Sequence, residues 1–170
     1  MKSILAQNEY NIKRGGERED ANKETIKIVF DLNLTHSIWR YQNFDWFDKN
    51  RLFVVEHKSY SYFFNLYKNT MLKSNKILNS NSLFIFEFLD PNSVTGFSLY
   101  YLQFSSKIFS KLEIKWVQYR LKMVKEEMFI IPNQFLIPFD VNSRVELKDK
   151  IKNHAFISSL IEEDAKRCSM

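Results

Sequence analysis

Apolar and polar positions along this 170-residue chain alternate with two different periods, and the change of period marks the elements. "GGEREDANKETIKIVFDLNL" starts at a glycine pair and continues at helical period. Ala21, Ile28 and Leu32, flanked by Thr25 and Val29, fall on one 3.6-residue face. "THSIWRYQ" (35–42) predicts a strand. "NFDWF" and "RLFVVEHKS" predict the two arms of a hairpin around Asp48-Lys49-Asn50. "YSYFFNLYKNTMLKSNKIL" (60–78) is expected to be a helix, broken by "NSN". "SLFIFEFLD" (82–90) is expected to be a buried strand, "PNSVTG" a turn, and "FSLYYLQFS" (97–105) a further strand.

Residues 106–128 are charged and helix-prone. "MFIIPNQFLIPF" carries two prolines, which suit an edge strand or an extended segment. Residues 143–167 predict a final amphipathic helix, with Val145, Leu147, Ile151, Phe156, Leu160 and Ile161 as packing residues. The order is that of an α+β (α/β) chain, a mixed β-sheet flanked by helices with a C-terminal helical and extended elaboration. The expected divisions are a flexible N-terminal arm over 1–14, a core over 15–105, and an elaboration over 106–170 packed on the core or at a dimer interface.

Composition narrows the function classes. Apolar residues make up 45% of the chain and aromatics 16%, enough for a packed core. Glycine and proline number three each, and no Gly-rich nucleotide-binding loop is present. A single cysteine, Cys168, lies near the end of the sequence; it supplies neither a disulfide framework nor a cysteine metal site, and an intracellular setting is expected. The first twenty residues hold only a two-residue apolar pair, which predicts no signal peptide, and no apolar run reaches membrane-spanning length. The net charge of +5 permits a polyanionic partner without demonstrating one.

Candidate chemistry concentrates in "DWFDKNRLFVVEHKS", Asp45 to Ser59. Side chains alternate across a strand, so Val54, Glu56 and Lys58 share one face and Phe53, Val55 and His57 the other. With Lys49-Asn50 as a two-residue loop, Asp48 faces Arg51 and Asp45 faces Val54. Directly opposite residues share a face, so Asp45 joins Glu56 and Lys58 while Asp48 points away. A loop longer by two residues preserves that parity. Two carboxylates and a lysine on one face suit a Mg²⁺ ion held by carboxylates, waters and a substrate phosphate. Such an ion polarises the phosphate and activates a water. The lysine orients that water and offsets transition-state charge. The alternative is a half-buried hairpin whose charged end is solvated.

The arrangement Asp45…Glu56-His57-Lys58 resembles the PD-(D/E)xK nuclease superfamily, in which a hairpin aspartate precedes a strand ending in carboxylate-x-lysine. "KRGGEREDANKETIKIV" resembles the N-terminal stretch of the Holliday-junction resolvases of archaea and Gram-positive bacteria. The resemblance covers roughly residues 13 to 105 and leaves the tail without a counterpart. It implies a restriction-endonuclease-like core and a homodimeric, Mg²⁺-dependent endonuclease acting on DNA, a branched-DNA resolvase first, a restriction or homing endonuclease next and an RNA endonuclease after that, with Mn²⁺ as a substitute metal. It implies Asp45 and Glu56 as metal ligands, the His57 carbonyl as a further ligand, and Lys58 as the catalytic lysine. For the family's first-helix glutamate it leaves Glu24 first and Glu19 second, since Asn22 stands where that residue is expected. Phe44 replaces the motif's proline, and the exonuclease motif Gln-x-x-x-Tyr is absent from the segment after the hairpin.

Three histidines, His36, His57 and His154, are far apart in sequence and are expected to be ordinary polar residues. A His36–His57 metal site of the kind found in some viral RNA-cleaving relatives is the alternative. Glu87, inside an apolar strand with Leu83, Ile85 and Leu89 on its face, is expected at solvent near a sheet edge, the alternative being an accessory polar residue of a site. Two lysine-rich stretches offer nucleic-acid contacts: Lys68, Lys73 and Lys76 after the hairpin, and Lys107, Lys111, Lys115, Arg120, Lys122 and Lys125 further on, with Lys107, Lys111, Lys115 and Lys122 at helical spacing. Lys73, Lys76, Lys111, Lys115 and Arg120 are the candidate phosphate contacts, and Trp116 and Tyr119 candidate base-stacking residues. A solvated face explains the same lysines. A non-catalytic nucleic-acid-binding module and a protein-interaction domain are the competing function classes.

Overall fold

The computed structural model describes residues 4–38, 44–76, 81–118, 125–148 and 155–169. Helix α1 (Ile4–Phe30) is followed by β1 (Thr35–His36), β2 (Trp46–Asp48) and β3 (Phe53–Phe63), a 3₁₀ turn at Phe64–Leu66, and β4 (Asn69–Lys73). Then come β5 (Ser82–Leu89), β6 (Phe97–Gln103), the short α2 (Ser106–Phe109), β7 (Glu113–Gln118) and β8 (Lys125–Pro132). A second 3₁₀ turn at Asn133–Phe135, β9 (Ile137–Phe139) and α3 (Ala155–Cys168) complete the described chain. The chain is α+β with a mixed six-stranded sheet in the order β1-β2-β3-β5-β6-β9 and a second, three-stranded sheet in the order β4-β8-β7.

In the large sheet β3 and β5 run parallel, and the other pairs are antiparallel. A parallel pair needs a crossover. Here the crossover runs through β4, which pairs with β8 in the second sheet, rather than through the helix expected over 60–78. The strand period was present in that segment: Tyr60, Tyr62 and Phe64 alternate onto the cluster around Phe88, while Ser61 and Phe63 are exposed. The helix-prone reading of 106–128 is corrected likewise. Among the described residues of that span only Ser106–Phe109 is helical, and Glu113–Gln118 is a strand, so Lys115 stands on a strand and not on the expected helical stripe. The arm expected over 1–14 belongs to α1 from Ile4 onward.

Three apolar clusters bind the layers. α1 lies on one face of the large sheet, with Ile26, Val29 and Phe30 against Trp46, Phe53, Val55, Leu83 and Ile85. The opposite face carries the second sheet, where Phe84, Phe86, Phe88 and Leu102 meet Leu72, Phe129 and Ile131. Beside it lies α3, where Phe47 and Val54 meet Ile157 and Ile161. β5 is therefore covered on both sides, which explains its unbroken apolar run. Full burial of a side chain such as Phe30 contributes about 1.5–3 kcal/mol. The Phe30 ring meets those of Tyr101 and Phe139 edge-on at 5.0 Å.

The inward stripe of α1 is Asn22, Ile26, Val29 and Phe30; of the expected face Val29 and Leu32 are buried, whereas Ala21 and Ile28 are exposed. The helix stops at Asp31, which takes φ 51° while the Leu32 amide donates to the Lys27 carbonyl at 3.0 Å. At the C-terminus, Val145 and Leu147 pack against the α1 cluster from outside any helix, Phe156 is exposed, and Ile151 lies outside the described residues. Buried Asp164 of α3 accepts the Ser37 hydroxyl at 2.9 Å and fastens the helix to the segment after β1.

Candidate functional site

β2 and β3 pair with Trp46 opposite Val55 and Asp48 opposite Phe53, so four residues, Lys49 to Leu52, form the loop. That is two residues longer than the two-residue loop expected, and the parity of faces is kept. Asp48 caps the loop: one carboxylate oxygen accepts the amides of Asn50 and Arg51 at 2.8 and 2.9 Å, the other that of Asn33 at 2.7 Å. It is buried and turned away from Glu56. Asp45 stands just before β2. Its amide donates to the Val55 carbonyl at 2.9 Å, and its Oδ2 accepts the His57 amide at 2.7 Å, which continues the β2–β3 ladder through a side chain.

Glu56 is only 3% exposed. Its Oε1 lies 2.6 Å from the Lys58 ammonium and 2.7 Å from that of Lys76. Its Oε2 is buried and makes no hydrogen bond among the described residues. Lys58 follows two positions along the same strand, on the same face. Lys76 arrives from the turn after β4 and is itself mostly buried.

Glu19 of α1 completes the cluster. Helical geometry explains why it does and Glu24 does not. With Asn22 and Ile26 facing the sheet, residue 19 lies one turn back on the inward side, whereas residue 24 is on the far side of the helix. Glu24 is exposed and pairs with Lys27 at 3.1 Å, so its place in the site is corrected in favour of Glu19.

The charges in the cluster strain one another. Burial and then the Glu56 carboxylate push Glu19 up to about 7, against the pull of Lys58 and Lys76. Burial, then Glu56 and Glu19, push Asp45 up to about 7 despite its bond from the His57 amide. Burial disfavours the Lys58 ammonium, but Glu56, Asp45 and Glu19 outweigh it and hold the pKa above its usual range. Three carboxylates thus face two ammoniums in a buried corner, and a further positive charge would relieve the two acids held near neutrality.

Among the described residues no three His, Cys, Asp or Glu side chains form a ready metal cluster. Mg²⁺ does not require one, since one or two carboxylates with waters and substrate oxygens suffice. Asp45 and Glu56 fit that role because both are hard oxygen donors and Glu56 keeps one buried oxygen without a hydrogen bond.

No family model, curated protein or solved structure matches this chain.

The remaining candidates divide. The His57 ring lies on the opposite face, 5.7 Å from the Trp46 ring centroid, with Nε2 3.1 Å from the Asn22 amide nitrogen. Burial lowers its pKa to about 4, so the ring is neutral. His36 is half-exposed at the rim, with Nε2 3.6 Å from Glu19. Its ring meets that of Trp46 at 6.3 Å, so both imidazoles pack on one indole. His154 and Arg120 lie outside the described residues. Lys73 pairs with Glu126 at 2.8 Å and Lys115 with Glu113 at 3.3 Å; Lys111 is exposed after α2.

Glu87 is fully buried on β5, contrary to its expected exposure. It accepts Nε and Nη2 of Arg18 at 2.8 and 2.6 Å, the Asn22 amide at 2.5 Å and the Ser59 hydroxyl at 2.8 Å. Burial alone would raise its pKa, but these hydrogen bonds, Arg18 first, hold it below the usual range. Neither this clamp nor the second lysine on Glu56 was foreseen in the sequence. Arg18 next to Glu19 was the available signal for the first, and a lysine following β4 for the second.

Proposed function

We propose that this chain is a metal-dependent endonuclease of the PD-(D/E)xK kind, hydrolysing phosphodiester bonds in DNA. The observation that carries the proposal is the meeting of Asp45, Glu56 and Lys58 on one face of a β-hairpin, with Glu19 brought alongside by the preceding helix. The order of a helix, a three-stranded antiparallel meander and a parallel strand beside β3 supports it.

Asp45 and Glu56 would hold a Mg²⁺ or Mn²⁺ ion, which supplies Lewis-acid activation of the phosphate and of an attacking water. Glu19, brought to the same corner by α1, would be the group to accept a proton from that water. The Lys58 ammonium orients the water and donates to a non-bridging phosphate oxygen as charge accumulates. The water oxygen bonds to phosphorus, the bond to the leaving sugar oxygen breaks, and that oxygen takes up a proton from solvent. The buried charge of Lys58 is held by Glu56, so the site enters each turnover with its lysine protonated.

A four-way junction is the DNA form that the resolvase resemblance favours, cut by a homodimer whose twofold symmetry matches the junction. His36 beside Glu19 supports an RNA endonuclease as the second reading. Incubation of the purified protein with supercoiled plasmid, a synthetic four-way junction and single-stranded RNA, each with Mg²⁺, Mn²⁺ or EDTA, separates the two. Cleavage of the DNA substrates upholds the first reading, and cleavage confined to RNA the second.

A further inference from the structure

Two ammoniums meet on one carboxylate oxygen of Glu56. Lys58 already stands at 2.6 Å, on the same strand, and offsets the charge. Lys76 comes to the same Oε1, at 2.7 Å, from a different part of the fold. Its turn is held by the second sheet. The Ser74 amide donates to the Glu127 carbonyl at 3.1 Å, the Ser74 hydroxyl to the Glu127 carboxylate at 2.6 Å, and the Lys76 amide to the Lys73 carbonyl at 3.2 Å. The backbone of residue 76 is thus fixed independently of the hairpin, and only its four-carbon stem spans the distance to Glu56. With 11% of its side chain exposed, the ammonium gives up much of its hydration to be there, a cost offset by its attraction to Glu56 and Glu19.

The placement makes sense in a second state. A divalent ion bound to Oε2 of Glu56 would share that carboxylate with the Lys76 ammonium on Oε1, and two like charges on one carboxylate repel. A phosphodiester bound to such an ion would offer unshared oxygens as an alternative partner for the Lys76 ammonium. We propose that Lys76 is an exchangeable counter-cation: it neutralises Glu56 when the site holds no metal, and it transfers to a non-bridging oxygen of the phosphodiester once a divalent ion takes the carboxylate. This rests on the nuclease reading for the identity of the phosphate, but not for the competition with metal. Lys76 thereby becomes a substrate-binding residue, and the charge it brings matches the single negative charge of a phosphodiester.

A purely structural ion pair makes the opposite prediction. If Lys76 merely held Glu56 in place, its loss would loosen the ligand and weaken metal binding. If it competes, its loss tightens metal binding. Titration of the full chain with Mn²⁺, followed by isothermal calorimetry, should show K76M binding about tenfold more tightly than the wild type. K76R, which keeps the charge, should stay close to wild type. Unchanged or weaker Mn²⁺ binding by a K76M protein with wild-type circular dichroism overturns the proposal.

The wild-type chain gives a second test that needs no variant. Acylation of lysines by an amine-reactive ester, read by mass spectrometry, should find Lys76 protected in EDTA, exposed in Mg²⁺, and protected again when a phosphorothioate oligonucleotide is added with Mg²⁺. Lys76 reactivity that does not respond to Mg²⁺ overturns the exchange. The two layers fail separately. Cleavage by the wild type with unaltered Mn²⁺ affinity in K76M keeps the nuclease and overturns the exchange. Tighter Mn²⁺ binding in K76M, from a wild type that cuts no nucleic acid, keeps the competition and overturns the nuclease.

Discussion

Arg18 and Glu87 form a bidentate pair, 2.8 and 2.6 Å, between the first helix and a strand covered on both faces. The guanidinium also lies 3.7 Å from the Phe97 ring centroid. With Asn22 and Ser59 adding their donors, the pair fixes the rotation of α1 over the sheet and with it the place of Glu19. Removing Arg18 leaves a buried carboxylate with the Asn22 and Ser59 donors alone among the described residues. R18M is expected to cost about 3–5 kcal/mol in urea unfolding, and R18M/E87Q to recover part of that. An R18M protein as stable as wild type would contradict the clamp.

The site carboxylates carry the reverse sign. Asp45 in the folded chain titrates near 7, above its unfolded value, so its cost to stability is absent below about pH 4 and fully developed above pH 7. Removing that charge should therefore stabilise the metal-free protein at high pH only. The full displacement corresponds to about 4 kcal/mol, which solvent screening at a partly exposed position reduces to about 1–2 kcal/mol. D45N should gain that amount over wild type at pH 8 in EDTA and lose the gain at pH 4.5. An equal effect at both values would contradict the account.

The sequence carried the hairpin chemistry well, because strand alternation is a parity and survives a change in loop length. Asp45 falls on the face of Glu56 whether the loop has two residues or four, and Asp48 and His57 fall away from it in either case. It carried the helix poorly, because α1 is polar nearly throughout and two stripes compete. Ala21–Ile28–Leu32 and Ile26–Val29–Phe30 differ by a fraction of a turn, and that fraction decides between Glu24 and Glu19. The packing of Phe30 against Tyr101 and Phe139 and the Arg18–Glu87 pair resolve it together. The aromatic-rich 60–78 segment satisfied both periods, and its partner strand lies more than fifty residues downstream, where no local pattern reaches.

That correction is testable through activity. E19A should lower cleavage about 10²-fold or more, while E24A, which loses only an exposed pair with Lys27, should match wild type. Loss of cleavage in E24A with retention in E19A would reverse the assignment.

Gly15 and Gly16 lie within α1, and a Cβ added at either meets nothing within 4 Å. Glycine in a helix interior costs roughly 0.5–1 kcal/mol relative to alanine. G15A and G16A should each raise stability by about that amount in thermal or urea unfolding, with no change in metal binding. Destabilisation by either would mean that the helix does not pass through the glycine pair as described.

The most direct test of the account is cleavage of supercoiled plasmid and of a four-way junction by the wild type beside D45A, E56A and K58A. The account predicts cleavage in Mg²⁺ or Mn²⁺, none in EDTA, and a loss of about 10²–10³-fold or more in each variant. Cleavage that persists in all three variants at the wild-type rate would contradict it.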